Sequence, residues 1–292
     1  MSGLAASLQA CAEAVRKGDP DRFAATMATR ADLRDRLWPL YAANLEIARA
    51  PWASSEPMVS EMRLQWWIDA VEGLAEGREP PHEIGPALVQ VATPARHLIT
   101  VAEARRADCW PEPHLDVPAL WAYLDQTAGG VYWAAAEALG ADAQAEMAVR
   151  AFGAAAGLAA FLQAVPELVS RARAPLADLS HDTLKLLARE GLERIDFTRK
   201  ARALKGPARS ALLPGWQARA LLKRVMISPE TVAQGGLELS EFARRAGLLR
   251  AALRGDHVPA DDDLVAALDD LLSSGAALTR LLLGGRESFS SI

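Results

Sequence analysis

The chain has 292 residues, about half of them apolar and a quarter charged, which supplies ample material for a core and excludes a disordered or low-complexity protein. Its net charge of −5 gives no overall attraction for nucleic acid, and Cys11 and Cys109 lack the paired spacing of a disulfide framework or zinc site. Alanine and leucine are abundant while β-branched and aromatic residues are sparse, so side-chain entropy favours helix and the expected fold class is all-α.

Helical periodicity begins near Leu4 and runs to about Arg16, where Gly18-Asp19-Pro20 breaks it and a short helix follows around Phe23. The early charges Glu13, Arg16, Lys17 and Asp19 are incompatible with a signal peptide, so a reducing, cytoplasmic setting is expected. Thr29 is a candidate cap for the next helix, along which Leu33, Leu37, Leu40, Tyr41, Asn44 and Ala48 form one stripe. Pro51 and Pro57 bracket a turn. The segment 58–75 then reads as a helix buried on several sides, because Met62, Leu64, Trp66, Trp67, Ile68 and Val71 surround most of its circumference.

Prolines at 80, 81, 86 and 94 punctuate shorter helices, and a loop spans 109–113. A long helix is expected from about Asp116 to Leu139, closed by Gly140. Asp142 opens an alanine-rich helix that Pro166 should bend or end. Its uncharged run, 151–166, falls short of the roughly 20 residues that cross a bilayer and reads as a buried helix. Nine Lys and Arg between Arg194 and Arg224 face a single acid, Asp196, whereas 256–270 carries six Asp and no cation. These read as two solvated faces that meet in the fold, or as a basic surface toward anionic lipid. A last amphipathic helix is expected over about 261–283, with Asp261, Asp262 and Asp263 compensating its dipole. No strand alternation, phosphate loop, linker or repeat is evident, and one domain over 1–292 is the simplest organisation. His82, His97, His114, His181 and His257 show no metal-ligand spacing.

Two segments carry the functional signal. The first runs from Leu40 through Tyr41, Asn44, Glu46, Ala48 and Arg49 to the turn Ser55-Glu56-Pro57 and the helix Arg63-x-Gln65-Trp66-Trp67. The second is Phe161-Leu162-Gln163-Ala164-Val165-Pro166-Glu167-Leu168, followed by Arg171 and Arg173. Together with Tyr123-x-x-x-Thr127-Ala128-Gly129-Gly130, they resemble the squalene/phytoene synthase family over about residues 20–255. The likeness is greatest to the non-synthase branch that includes the mitochondrial complex I assembly factor. It implies a single all-α, isoprenoid-synthase-like bundle around a central cavity. The glycine-containing helix would line a prenyl pocket, with Tyr41, Asn44, Ala48, Arg49, Tyr123, Gly129, Gly130, Ala164 and Leu168 at pocket positions.

Synthases of this family join two prenyl diphosphates, and aspartates four residues apart hold the magnesium ions that stabilise the departing diphosphate. Here the corresponding positions read Ala48, Arg49 and Trp52 in the first segment and Ala164 and Leu168 in the second. If metal contributes on the order of 5 kcal/mol to ionisation, its loss slows the reaction by roughly four powers of ten. Arg171 and Arg173 are candidate anion-binding residues that need no metal. The expectation is a catalytically degenerate member, with no catalytic or metal residues and no cofactor. It would hold an isoprenoid or other lipid-like molecule, or assist assembly of a membrane complex as a peripheral protein, without nucleic acid. One alternative is an active prenyltransferase with relocated Mg2+ ligands. The other is a partner-binding protein whose cavity has filled, as the bulk of Trp52 and Leu168 suggests.

Overall fold

The computed structural model describes residues 3–110, 116–201 and 204–254, and every regular element among them is helical. The first three helices are α1 (Gly3–Gly18), α2 (Pro20–Ala28) and α3 (Ala31–Arg49). Helix α1 buries Ser7, Cys11 and Val15, one residue per turn, and the Ser7 hydroxyl accepts a hydrogen bond from the Ala87 amide at 3.1 Å. Asp19 caps α2 by accepting from the Arg22 amide at 2.9 Å, with Pro20 at the first helical position. Thr29 does not cap α3: its hydroxyl turns back to the Ala25 carbonyl, and Arg30 occupies the cap without a side-chain bond.

Helix α4 (Pro57–Ala75) buries Leu64, Trp67, Ile68, Val71 and Leu74, but Met58, Met62 and Trp66 lie on the opposite face and are exposed. The expectation of burial on several sides is therefore corrected. Neighbouring helices cover one face only. Three short helices follow, α5 (Gly85–Val89), α6 (Ala92–Ala95) and α7 (His97–Ala104), and a 3-10 turn, Arg105–Cys109, carries the chain to Trp110.

Asp116 caps α8 (Val117–Leu124) through the Ala119 amide at 2.7 Å. The helix continues through a π-helical turn, Asp125–Gly129, into α9 (Gly130–Ala138), where Gly140 at φ +87° ends it. Helix α10 (Glu146–Ser170) continues past Pro166, so the proline does not end it. With the turn before it, α10 is long and apolar enough to cross a membrane, longer than its uncharged run suggested, yet half of its most apolar window is buried inside the protein. The remaining helices are α11 (His181–Ala201), α12 (Ala218–Ile227), α13 (Thr231–Gln234) and α14 (Glu241–Arg254), with a 3-10 stretch, Gly206–Gly215, before α12.

The core has two apolar clusters, one around α1, α3, α4, α7 and α9, the other around α8, α10, α11 and α12. Phe152 and Ala156 of α10 touch both, which makes that helix the axis of the molecule. In the basic stretch, Arg219 pairs with Asp196 at 2.7 Å and Arg194 lies 4.0 Å from the Trp121 ring, so part of its charge is satisfied within the fold. The acidic stretch 256–270 and the expected helix 261–283 lie outside the described residues.

Candidate functional site

A cavity of about 410 Å3 opens where the two clusters meet. Its apolar wall comes mainly from α10, through Ala156, Gly157, Ala160, Phe161, Ala164 and Leu168, with Leu221 of α12 and Leu124 and Val131 beside the π-helical turn. Small residues on α10 keep this wall thin. A Cβ added to Gly157 would lie 2.5 Å from the Ala128 Cβ, and one added to Gly153 would lie 2.9 Å from the Gly129 Cα. Removal of these methyl groups lets α10 approach the π-helical turn closely.

The other end of the cavity is polar. Arg22, on the first turn of α2, pairs with Asp19 at 2.9 Å, and its guanidinium carbon lies 4.8 Å from the Tyr41 ring centroid and 5.9 Å from that of Tyr132. Burial alone would lower the pKa of Arg22, but Asp19 and the phenol oxygens of Tyr132 and Tyr41 outweigh it and hold the group above the ordinary arginine value. Arg105 donates to Asp108 at 2.9 Å and to the Tyr123 hydroxyl at 3.2 Å, and that hydroxyl donates to Asp108 at 2.8 Å. Burial pushes the Tyr123 and Tyr132 phenols upward and raises Tyr41 to about 12, so all three are neutral hydroxyls at pH 7. Asp21 accepts from Gln217 at 2.7 Å and pairs with Arg244.

Among the expected pocket residues, Asn44, Tyr123, Ala164 and Leu168 line the cavity, and Tyr41 lies behind its wall as the platform for Arg22. Ala48 and Arg49 are not among the lining residues, and Arg49 pairs with Glu46 at 3.1 Å on the surface. Gly129 packs on Arg150 and Gly153 of α10, and Gly130 on Val101 of α7, so both serve helix packing rather than the cavity wall. Arg171 and Arg173 converge on the Trp52 ring, at 5.5 and 5.2 Å from its centroid, and Arg171 also pairs with Glu167 at 2.7 Å. Trp52 lines the cavity while remaining 39% exposed, which puts this aromatic clamp at the mouth and not in the interior.

Sequence reasoning missed Arg22, Arg105 and their carboxylate partners. The Asp19-Pro20-x-Arg22 cap pattern marks a helix start, but nothing local shows that its first turn faces a cavity.

The residues present do not fit a magnesium cluster. Ala164 and Leu168 bring no carboxylate to the wall, and Asp19, Asp21 and Asp108 are each engaged by an arginine. Among the described residues, no group of three or more His, Cys, Asp or Glu side chains is placed to hold a metal ion.

Helices closed around one cavity, with a π-helical turn packed on a long axial helix, define an isoprenoid-synthase-like all-α fold. It matches the crystal structure of a dehydrosqualene synthase in complex with ligand at TM-score 0.70 and 13% identity, covering 84% of this chain and 95% of that one. A squalene synthase from Alicyclobacillus acidocaldarius matches at TM-score 0.63 and 16% identity, covering 78% and 94%. The chain belongs to the squalene/phytoene synthase family, whose model matches residues 15–225. Similar relatives are NADH dehydrogenase (ubiquinone) complex I, assembly factor 6, of Bos taurus, 27% identical over 208 residues, and of Homo sapiens, 26% identical over 196. These matches cover 68% and 65% of this chain and 60% and 57% of the relatives, so the chain spans about three fifths of the length of the curated relatives it matches.

Proposed function

We propose that this protein is a non-synthase member of its family that holds an isoprenoid or related lipid in the central cavity and serves the assembly of a membrane protein complex. Its place of work would be the cytoplasm or the inner face of a membrane. The observation that carries the reading is a cavity of about 410 Å3 whose wall bears Ala164 and Leu168 where synthases of the family carry metal-binding aspartates. Diphosphate departs only when its developing charge is stabilised, and a wall of methyl and isobutyl groups supplies no stabilisation. The retained volume supports ligand binding over a filled interior. The relatives named as complex I assembly factors support an assembly role and a protein partner.

Two measurements test the reading together. Freshly purified protein, examined by native mass spectrometry with lipid extraction, is expected to carry a hydrophobic ligand. Incubation with farnesyl or geranylgeranyl diphosphate and Mg2+ is expected to release no diphosphate above the metal-free control. Metal-dependent release at a synthase-like rate would return the protein to the prenyltransferases.

A further inference from the structure

Helix α14 turns an apolar seam away from the body of the protein. Its inner face is fixed by Arg244, which pairs with Asp21, and by Gly247, which lies against the Trp216 ring, whose Nε1 donates to the Arg244 carbonyl at 3.2 Å. On the opposite side stand Phe242, Ala246, Leu249 and Leu253, spaced four, three and four residues apart. Phe242 is 62% and Leu249 50% exposed, and no residue from 241 to 253 is buried. A helix of 14 residues draws most of its stability from a packed apolar face, and the seam of α14 has no cover among the described residues.

The chain carries a matching pattern a few residues further on. Outside the described residues, Leu264, Leu268, Leu271, Gly275, Leu278 and Leu282 repeat the same alternation of four and three. A connection as short as 255–260 imposes an antiparallel direction. In that direction the two seams pair Leu253 with Leu264, Leu249 with Leu268, Ala246 with Leu271 and Phe242 with Gly275, so the largest side chain of one meets the smallest of the other. Charge agrees with this pairing. The sequence of α14 has four arginines against Glu241, whereas 256–270 has six aspartates and no Lys or Arg. A second copy of α14 would set the same arginines against one another. A segment tethered so closely also acts at an effective concentration on the order of millimolar, which favours it over a free partner.

We infer that the segment 261–283 docks along the outer seam of α14 as its antiparallel partner helix. Arg244 of α14 holds Asp21, which lines the cavity, so the docked segment braces a latch on the central chamber from outside. The inference concerns the outer surface and stands whatever the cavity holds.

Hydrogen exchange read by mass spectrometry tests this on the whole chain. In the wild type, peptides spanning 264–275 and 243–253 are expected to be protected at a concentration where sedimentation shows a monomer. Leu249 is half exposed, so with nothing over the seam Leu249→Asp would be close to neutral. With the segment docked, Leu249→Asp is expected to speed exchange of 264–275 at least tenfold while peptides of α3 and α10 keep their protection. Leu268→Asp is expected to act in reverse, speeding exchange of 243–253 at least tenfold. Exchange of 264–275 at the rate of an unstructured peptide in the wild type would overturn the inference. So would protection of that segment that Leu249→Asp leaves intact, because the segment would then be docked elsewhere. Protection that disappears on dilution together with a dimer would give the seam to a second copy instead. The wild-type measurement needs no variant, and the α3 and α10 peptides separate release of the segment from loss of the fold.

Discussion

Gly157 of α10 and Ala128 of the π-helical turn approach so closely that a Cβ on the glycine would lie 2.5 Å from the alanine's own. One turn earlier, a Cβ on Gly153 would meet the Gly129 Cα at 2.9 Å and the Ala128 carbonyl oxygen at 3.1 Å, both backbone atoms that cannot swing aside. Alanine for glycine in a helix gains up to about 1 kcal/mol, but overpacking against backbone costs about 1–3 kcal/mol, and the second effect wins here. Gly153→Ala is therefore expected to lower stability by about 1–2 kcal/mol in urea unfolding. Gly73→Ala is the control. Its new methyl would sit 3.5 Å from the flexible Arg78 side chain, an ordinary contact, and the substitution is expected to be neutral or stabilising by up to about 1 kcal/mol.

His97 sits against Glu137 at 3.1 Å, on a carboxylate that Arg96 also holds at 2.7 Å. Burial first, and then the Arg96 charge, lowers its pKa from 6.5, and Glu137 only partly opposes them. Below 6.5 the unfolded chain takes up a proton at this site before the folded chain does, so stability rises with pH between the two values. The contribution is complete above 6.5 and is lost as pH falls through the lowered folded value. Melting curves at pH 7.5 and 5.5 are expected to differ more for the wild type than for His97→Gln. Equal pH dependence in the two proteins would remove this account.

Much of the helical frame is legible in local chemistry. Pro20, Pro57, Asp116 and Gly140 mark boundaries where the fold has them, since each acts on its own backbone through a fixed φ, a cap bond or a positive φ. Pro166 misleads for the opposite reason. A proline inside a helix costs about 3 kcal/mol locally, but the burial of Leu162 and Val165 in the turn before it is a tertiary effect that local rules do not contain. The site divides in the same way. Ala164 and Leu168 lie four residues apart on one helix face, so periodicity places them together. Arg22 and Arg105 meet only because α2 and the 3-10 turn after α7 close on the same chamber, which no spacing encodes.

Magnesium provides a test of the electrostatic reading that needs no substrate. A ligand at 100 times its Kd stabilises the folded state by about 2.7 kcal/mol. The wall offers Ala164 and Leu168, and the nearby carboxylates are occupied by arginines. Replacing EDTA with 5 mM MgCl2 is therefore expected to leave Tm unchanged within about 1 °C. A rise of several degrees would reveal a divalent site.

Trp52 stands at the mouth of the cavity, where the proposed lipid would enter. Its ring is held by Arg171 and Arg173, and Arg173 is itself anchored to the Trp110 carbonyl. Exposed cation–π contacts contribute about 0.5–1 kcal/mol each, so on the proposed lipid-pocket reading the pair would slow exchange yet open on its own. Trp52→Ala is expected to raise both the association and dissociation rates of farnesol several-fold, measured by stopped flow, while its Kd moves by less than about threefold because the α10 wall is untouched. Trp52→Phe keeps an aromatic face for the two arginines and is expected to fall between them. Unchanged rates in Trp52→Ala would mean that ligands enter elsewhere and that the clamp is only a surface contact.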